Sequence, residues 1–171
     1  MKRIASAGIF ASALLSAPAA SAQDTLTSWD QYLSFLGQSC VLDTLGLQSK
    51  MMAGMMARHG AGMTERDDRD GMDFYDHPNG TTLELSATNE EVRCRVVIPP
   101  TALAPAGFES LHAGLAEEIG YKVSPDSLDT VTDDGSTEWV YDGTKDNRMT
   151  VRFSLLDDGG ASIEAQSSLK R

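Results

Sequence analysis

Residues 149–166 read MTVRFSLLDDGGASIEAQ, and apolar and polar side chains alternate on both sides of an Asp-Asp-Gly-Gly sequence. This alternation puts one apolar and one polar face on each of two strands, and the sequence between them is typical of a tight hairpin turn. Strands with a single apolar face are typical of antiparallel sheets, because parallel strands covered on both faces are apolar throughout. The apolar sets are Met149, Val151, Phe153 and Leu155 before the turn and Ala161, Ile163 and Ala165 after it.

The same alternation occurs in three further segments. Residues 81–86 and 92–98 form a second hairpin, and residues 137–141 add one strand ahead of the first hairpin. Residues 64–79 hold six acidic side chains and few apolar ones, so we expect a loop there. Residues 123–131 contain Pro125 and are expected to be a loop or a short edge strand. The sequence therefore predicts an antiparallel sheet of about five strands.

Three segments have helical rather than strand periodicity. The first, residues 28–45, begins at Ser28 with Gln31 placed to complete a capping box. The second covers residues 49–60 and the third residues 105–121. Each helix has one apolar stripe to bury, and the dry face of the sheet is the surface available. We therefore predict a two-layer α+β fold, with about three helices on one face of the sheet and residues 23–171 forming one domain.

The first 22 residues have the layout of a secretory signal peptide. A basic start at Lys2 and Arg3 precedes a short apolar run, and small residues lead to a cleavage position after Ala22. The apolar run is too short to span a bilayer as a mature helix. We therefore expect export to the periplasm or outside the cell, with no membrane insertion after the signal peptide is cleaved.

The charge balance is strongly acidic. The chain has 14 Lys and Arg residues against 25 Asp and Glu residues, a formal net charge of −11. The basic residues are scattered, so phosphate backbones and anionic headgroups would be repelled. We therefore expect neither nucleic acid nor an anionic membrane surface as a partner.

The only two cysteines, Cys40 and Cys94, are predicted to form a disulfide. An exported chain with a small, even number of cysteines usually contains a structural bridge. A redox pair or a metal pair is the alternative, but the spacing is not C-x-x-C. Cys40 lies on the apolar stripe of the first predicted helix and Cys94 on the dry face of a strand, so the bridge would join the two layers.

The second predicted helix is rich in methionine, and three interpretations of it remain open. Methionine at helical spacing is most often core packing. A flexible surface for a protein or peptide partner is the second interpretation. A Cu(I) site is the third, because thioethers and imidazole are soft ligands. The partner surface would use Met51, Met52, Met55 and Met56, and the metal site would use Met52, Met56, His59 and Met63.

Other chemistry is only weakly indicated. The acidic residues 65–76 half resemble a calcium loop but lack its closing glutamate. Arg93, Arg95 and Arg152 would lie on the wet face of the sheet, in a solvent-side charge ladder or as a site for an acidic ligand. His77 and His112 fall in no catalytic motif, and no catalytic residues are predicted.

The sequence is best interpreted as a non-catalytic, exported binding or assembly module for an envelope protein or peptide. The alternatives are a copper-binding periplasmic protein that uses the methionine-rich helix at residues 51–63, and an envelope enzyme of unrecognised type. No cofactor other than Cu(I) is suggested by the residues present.

Overall fold

One antiparallel sheet forms the body of the protein in the computed structural model, which describes residues 26–41, 50–123, 128–142 and 147–169. The strand order is β1-β2-β3-β4-β8-β7-β6-β5, and every neighbouring pair is antiparallel. The predicted signal peptide, residues 1–22, lies outside the described residues. The strands are β1 (Thr64–Arg69), β2 (Met72–Asp76), β3 (Thr82–Ala87), β4 (Glu91–Ile98), β5 (Leu128–Val131), β6 (Thr137–Asp142), β7 (Asn147–Leu155) and β8 (Ala161–Leu169).

Three helices cover one face of this sheet within the described ranges. The first helix, α1 (Trp29–Leu36), continues as a π-helical turn over Gly37–Val41. The second, α2 (Lys50–Met55), continues in the same way over Met56–Gly60, and α3 (Pro105–Val123) connects β4 to the second half of the sheet. The capping box predicted at Ser28 is present, because its backbone N–H donates to Gln31 Oε1 at 3.2 Å. None of these helices is long and apolar enough to cross a membrane.

The mixed α+β class is confirmed, but the prediction of about five strands is wrong. The structure has eight strands in its described part. The acidic segment that we expected to be a loop forms β1 and β2, which turn at Asp70 and Gly71, both in the left-handed region at φ 55° and 77°.

β1 is the edge strand and β2 is its neighbour, and the low burial of β2 explains why the sequence shows no apolar alternation there. Only Tyr75 of β2 is buried, so no run of alternating apolar residues is needed there. Basic partners offset the negative charges instead: Arg66 Nε lies 2.7 Å from Asp76 Oδ2, and Lys50 Nζ lies 3.0 Å from Asp73 Oδ1. Charged side chains are a common feature of sheet edges, where they discourage pairing with another chain.

The core lies between the helices and the inner face of the sheet. β4, β7 and β8 contribute the alternating apolar residues predicted from the sequence, and all of them except Leu155 are buried. The helices contribute the facing stripes, which on α3 are Phe108, Leu111, Leu115 and Ile119.

The predicted disulfide between Cys40 and Cys94 is confirmed. It joins the π-helical turn after α1 to β4, with 5.5 Å between the two Cα atoms, and both residues are buried. In the strand register Cys94 is opposite Ala165 of β8 and Leu85 of β3. The bridge therefore fixes the helical layer to the centre of the sheet.

The outer face of the sheet carries charges of alternating sign. A single cross-strand row contains Glu84, Arg95, Glu164, Arg152 and Glu138, on β3, β4, β8, β7 and β6. Arg95 lies 3.8 Å from Glu84, and Arg93 donates to Glu164 at 2.9 Å. These arginines are engaged with carboxylates of the same sheet, which is the solvent-side ladder expected from the sequence.

Reduction of the disulfide should destabilise the fold by about 4 kcal/mol, because it releases a loop with a sequence separation of 54 residues. Urea unfolding with and without reductant measures this difference. The Cys40→Ala, Cys94→Ala double variant is the control, and its unfolding midpoint should not respond to reductant. Two titratable thiols in the denatured, unreduced protein would contradict the bridge.

Candidate ligand-binding cleft

A cleft of about 550 Å³ opens between the beginning of α3 and the end of the sheet where β6 begins and β7 ends. Phe108 of α3 and Phe153 of β7 form part of its wall, and Leu155 and Leu156 extend this wall toward the turn between β7 and β8. Leu155 is 66% exposed, which is unusual for a large apolar side chain in this fold. The cleft is therefore mostly apolar and open to solvent.

His112 supplies the main polar group inside the cleft. It follows Leu111 on α3, so it lies at the margin of the buried stripe and is only half-buried. Its Nε2 lies 2.9 Å from Thr137 Oγ1 of β6, a hydrogen bond whose direction depends on the imidazole tautomer. Its ring contacts Trp139 at 5.5 Å and the edge of Phe153 at 5.0 Å between centroids. These contacts fix the orientation of the imidazole.

Two turns with the same sequence and geometry contribute to the rim. Asp-Asp-Gly occurs at residues 133–135 between β5 and β6, and again at residues 157–159 between β7 and β8. The glycine of each turn lines the cleft and has a positive φ, 78° at Gly135 and 85° at Gly159. In each turn the second aspartate accepts a hydrogen bond from a backbone N–H two residues later. Both turns lie at the same end of the sheet because their strands run antiparallel.

The first of these turns is held by a polar network. Asp134 accepts hydrogen bonds from Thr132 and from Ser136, and it forms an ion pair with Arg152 of β7. Arg152 Nε also donates to Ser136 Oγ at 2.8 Å. These hydrogen bonds, first that from Thr132 and then those from Ser136, lower the pKa of the Asp134 carboxyl well below its ordinary value. The network therefore attaches the turn to the neighbouring hairpin.

The methionine residues predicted as a site lie elsewhere and do not share one environment. Met52 and Met55 of α2 are both 46% exposed, and His59 is also exposed. Met56 is half-buried, and its Cε lies beside Gly60, whereas Met63 is part of the core. The side chain of Met51 lies outside the described part of the structure. The four residues predicted as metal ligands therefore range from exposed to buried.

No cluster suited to a hard metal ion occurs in the described ranges. They contain no group of three or more His, Cys, Asp or Glu side chains placed to hold a metal. The acidic segment that half resembled a calcium loop forms strands β1 and β2, with Asp73 paired to Lys50 and Asp76 paired to Arg66. His77 is buried beside the turn between β2 and β3, where its Nδ1 accepts from Asn79 N at 3.2 Å.

The sequence did not single out the cleft, because its residues come from distant segments. Phe108 and Phe153 are predicted simply as core residues by periodicity, and nothing in the sequence shows that both border an open space. Two signals were present nevertheless: a histidine placed directly beside an apolar stripe, and the repeated Asp-Asp-Gly turns.

Comparisons with known proteins add no assignment. No protein-family model matches this chain, and neither the curated proteins nor the solved structures contain a significant match. Any functional argument therefore depends on the residues and geometry described above.

The Asp134→Asn variant should be less stable than the wild type at neutral pH, and this difference in stability should shrink in acid. The folded-state pKa of Asp134 lies below its ordinary value of 3.8, so the charged carboxylate stabilises the fold above that value. This contribution falls as the pH drops below about 4 toward the folded-state pKa. Urea midpoints measured between about pH 2 and pH 7 test the convergence.

Asp133→Asn is the matched control, since it removes a charge from the same turn but leaves the hydrogen bonds of Asp134 in place. Its difference from the wild type should vary less over the same pH range. A constant gap between the wild type and Asp134→Asn at every pH would contradict the assigned role of the carboxylate.

Proposed function

We propose that this protein is a non-catalytic, extracytoplasmic binding protein whose ligand site is the cleft between α3 and the β6–β7 hairpin. The observation that carries this proposal is a cleft of about 550 Å³ that combines apolar walls with one oriented imidazole–hydroxyl pair. Small-molecule sites are typically concave, mostly apolar and provided with a few fixed polar groups, and their volumes fall in this range. A small amphipathic molecule fits this description.

The polar pair in the cleft is better suited to orienting a ligand than to catalysis. A hydroxyl activated by histidine normally has a third group that orients the base through its other nitrogen. In this structure the plane of His112 is held by the rings of Trp139 and Phe153. Thr137 and His112 together offer a hydrogen-bond donor and an acceptor to a bound molecule. Which of the two side chains donates depends on the imidazole tautomer, so the pair can adapt to the ligand.

One feature of the fold and one of the sequence support export from the cytoplasm. A disulfide buried in the core persists in an oxidising compartment. The layout of residues 1–22 matches a secretory signal peptide. Both features support a periplasmic or secreted protein.

Ligand binding in the cleft is testable with the protein's own tryptophans. The chain has two, and the Trp29→Phe variant leaves Trp139, which contacts His112, as the single emitter. The neutral, apolar probe N-phenylnaphthylamine should accept energy from Trp139 when it occupies the cleft. Leu155→Asn should weaken this binding by roughly three- to tenfold, because it removes an apolar side chain from the wall.

Val131→Asn is the matched control for this experiment. Val131 is 74% exposed and apolar, but it is absent from the cleft lining, so its substitution should leave the affinity unchanged. Equal loss of probe binding in both variants, or no energy transfer at all, would refute the cleft as a ligand site. Chemical change of a bound molecule, followed by mass spectrometry, would indicate an enzyme instead of a binding protein.

A protein or peptide partner is the second candidate function, and the exposure of Met52 and Met55 favours it. Both side chains are 46% exposed on one helix, and adaptable methionine surfaces suit apolar partner segments. This candidate and the Cu(I) alternative are separated by conservative substitutions that keep the volume of the side chains.

If Met52, Met56, His59 and Met63 hold Cu(I), Met52→Leu with Met56→Leu should abolish stoichiometric copper uptake in competition with a chromophoric chelator. Leucine nearly preserves packing, so the free energy of unfolding should change by less than about 1.5 kcal/mol. Met55→Leu is the control, because Met55 is equally exposed and is not among the proposed ligands. Unchanged copper uptake in the double variant would contradict the metal site.

A further inference from the structure

We infer that the cleft selects a small organic cation, an amine or quaternary ammonium group attached to an apolar body. This inference rests on the proposed ligand-binding function and adds the chemical class of the ligand. Its basis is the cavity itself, whose apolar and aromatic wall ends at a rim where fixed negative charge is in excess.

The wall supplies the site for an apolar body. Phe108 and Phe153 line it and are themselves almost completely buried, and Leu155 and Leu156 continue the apolar surface outward. The same wall therefore favours a hydrocarbon chain and does not exclude a positive head.

The charged residues at the rim favour a positively charged ligand. Among the lining residues, Glu109 is the one acidic side chain, and it is exposed at the opening. The two Asp-Asp-Gly turns add Asp133, Asp157 and Asp158 within two residues of the glycines that line the cleft. Asp134 does not count toward this charge, because it forms an ion pair with Arg152 of the outer face. Within the described ranges no ion pair involves Glu109, Asp133 or Asp157.

The N-terminus of α3 opposes the preference for a cation, but its charge is smaller than that of the acidic rim. The N-terminus of α3 lies at the cleft, since Pro105 lines it, and a helix N-terminus carries a partial positive charge of about half a unit. A backbone N–H of its first turn is already occupied, because Gly107 N donates to Ala104 O at 2.8 Å. The full charges of Glu109, Asp133, Asp157 and Asp158 exceed this partial charge.

A matched series of ligands tests the inference. Decyltrimethylammonium, decyl maltoside and decyl sulfate share one chain and differ in head charge. Each is titrated below its micellar concentration into the Trp29→Phe protein, with displacement of N-phenylnaphthylamine as the readout. At low salt the cation should bind about tenfold more tightly than the neutral ligand, and the sulfate should bind most weakly. Added salt should reduce this preference.

Glu109→Gln should reduce cation affinity by about threefold and leave the affinity for decyl maltoside unchanged. Glu117→Gln is the matched control, because Glu117 is exposed on the same helix and is absent from the cleft lining. A control variant that loses cation affinity as strongly as Glu109→Gln would trace the preference to net charge and overturn the inference.

The two proposals fail in different ways. Equal affinity for the cationic and neutral ligands, with both competing against the probe, would overturn the cation inference and leave the binding function intact. Absence of binding by all three ligands and by the probe would overturn both. Tighter binding of decyl sulfate would show that the partial charge at the start of α3 outweighs the acidic rim.

Discussion

The pairing of β4 with β8 is the interaction on which the other features of this structure depend. Eight residue pairs, from Glu91 with Ser168 to Ile98 with Ala161, join the two strands in the middle of the sheet. On one side lie β1 to β3, and on the other lie β5 to β7, each group folded as a meander of sequential neighbours. Among the strand pairings in the described part of the chain, this is the one that joins segments far apart in sequence. Without it the two meanders would be separate four-stranded sheets, each with its own partly covered apolar face.

The central strands also explain how the helical layer is attached. On its inner side β8 presents Ala161, Ile163, Ala165 and Ser167, all of them buried, so small residues flank one large residue. Cys94 of β4 and Val151 of β7 both pair with Ala165. The disulfide therefore reaches the sheet beside one of the small residues. Close approach also matters on the other side, where a Cβ at Gly54 of α2 would lie 2.5 Å from Tyr75 Oη. Small residues therefore bring both the bridge and α2 close to the strands.

Much of this fold was predictable from the sequence, and the failures have a common physical cause. Period-two alternation identified β3, β4, β6, β7 and β8, because each of these strands has one face against the helices and one in solvent. β1 and β2 do not show the pattern, since little of them is buried and Tyr75 is the one buried residue of β2. A cross-strand ion pair and a left-handed turn occur there instead, and neither produces apolar periodicity. β5, expected as a loop or edge strand, is the opposite edge.

The cleft was less predictable, because it arises from where a helix begins relative to the end of a sheet. Periodicity places Phe108 and Phe153 in a core but does not show that α3 starts far enough along the sheet to leave a space beside them. The charge distribution is more informative when the two faces are compared. On the outer face Arg93 and Arg95 are engaged with glutamates of the sheet. The excess of 25 acidic over 14 basic residues must therefore lie elsewhere. Part of it lies in the Asp-Asp-Gly turns and at Glu109, where the apolar wall of the cleft meets solvent. The outer face of the sheet thus pairs its charges internally, whereas the end that carries the opening has carboxylates in excess.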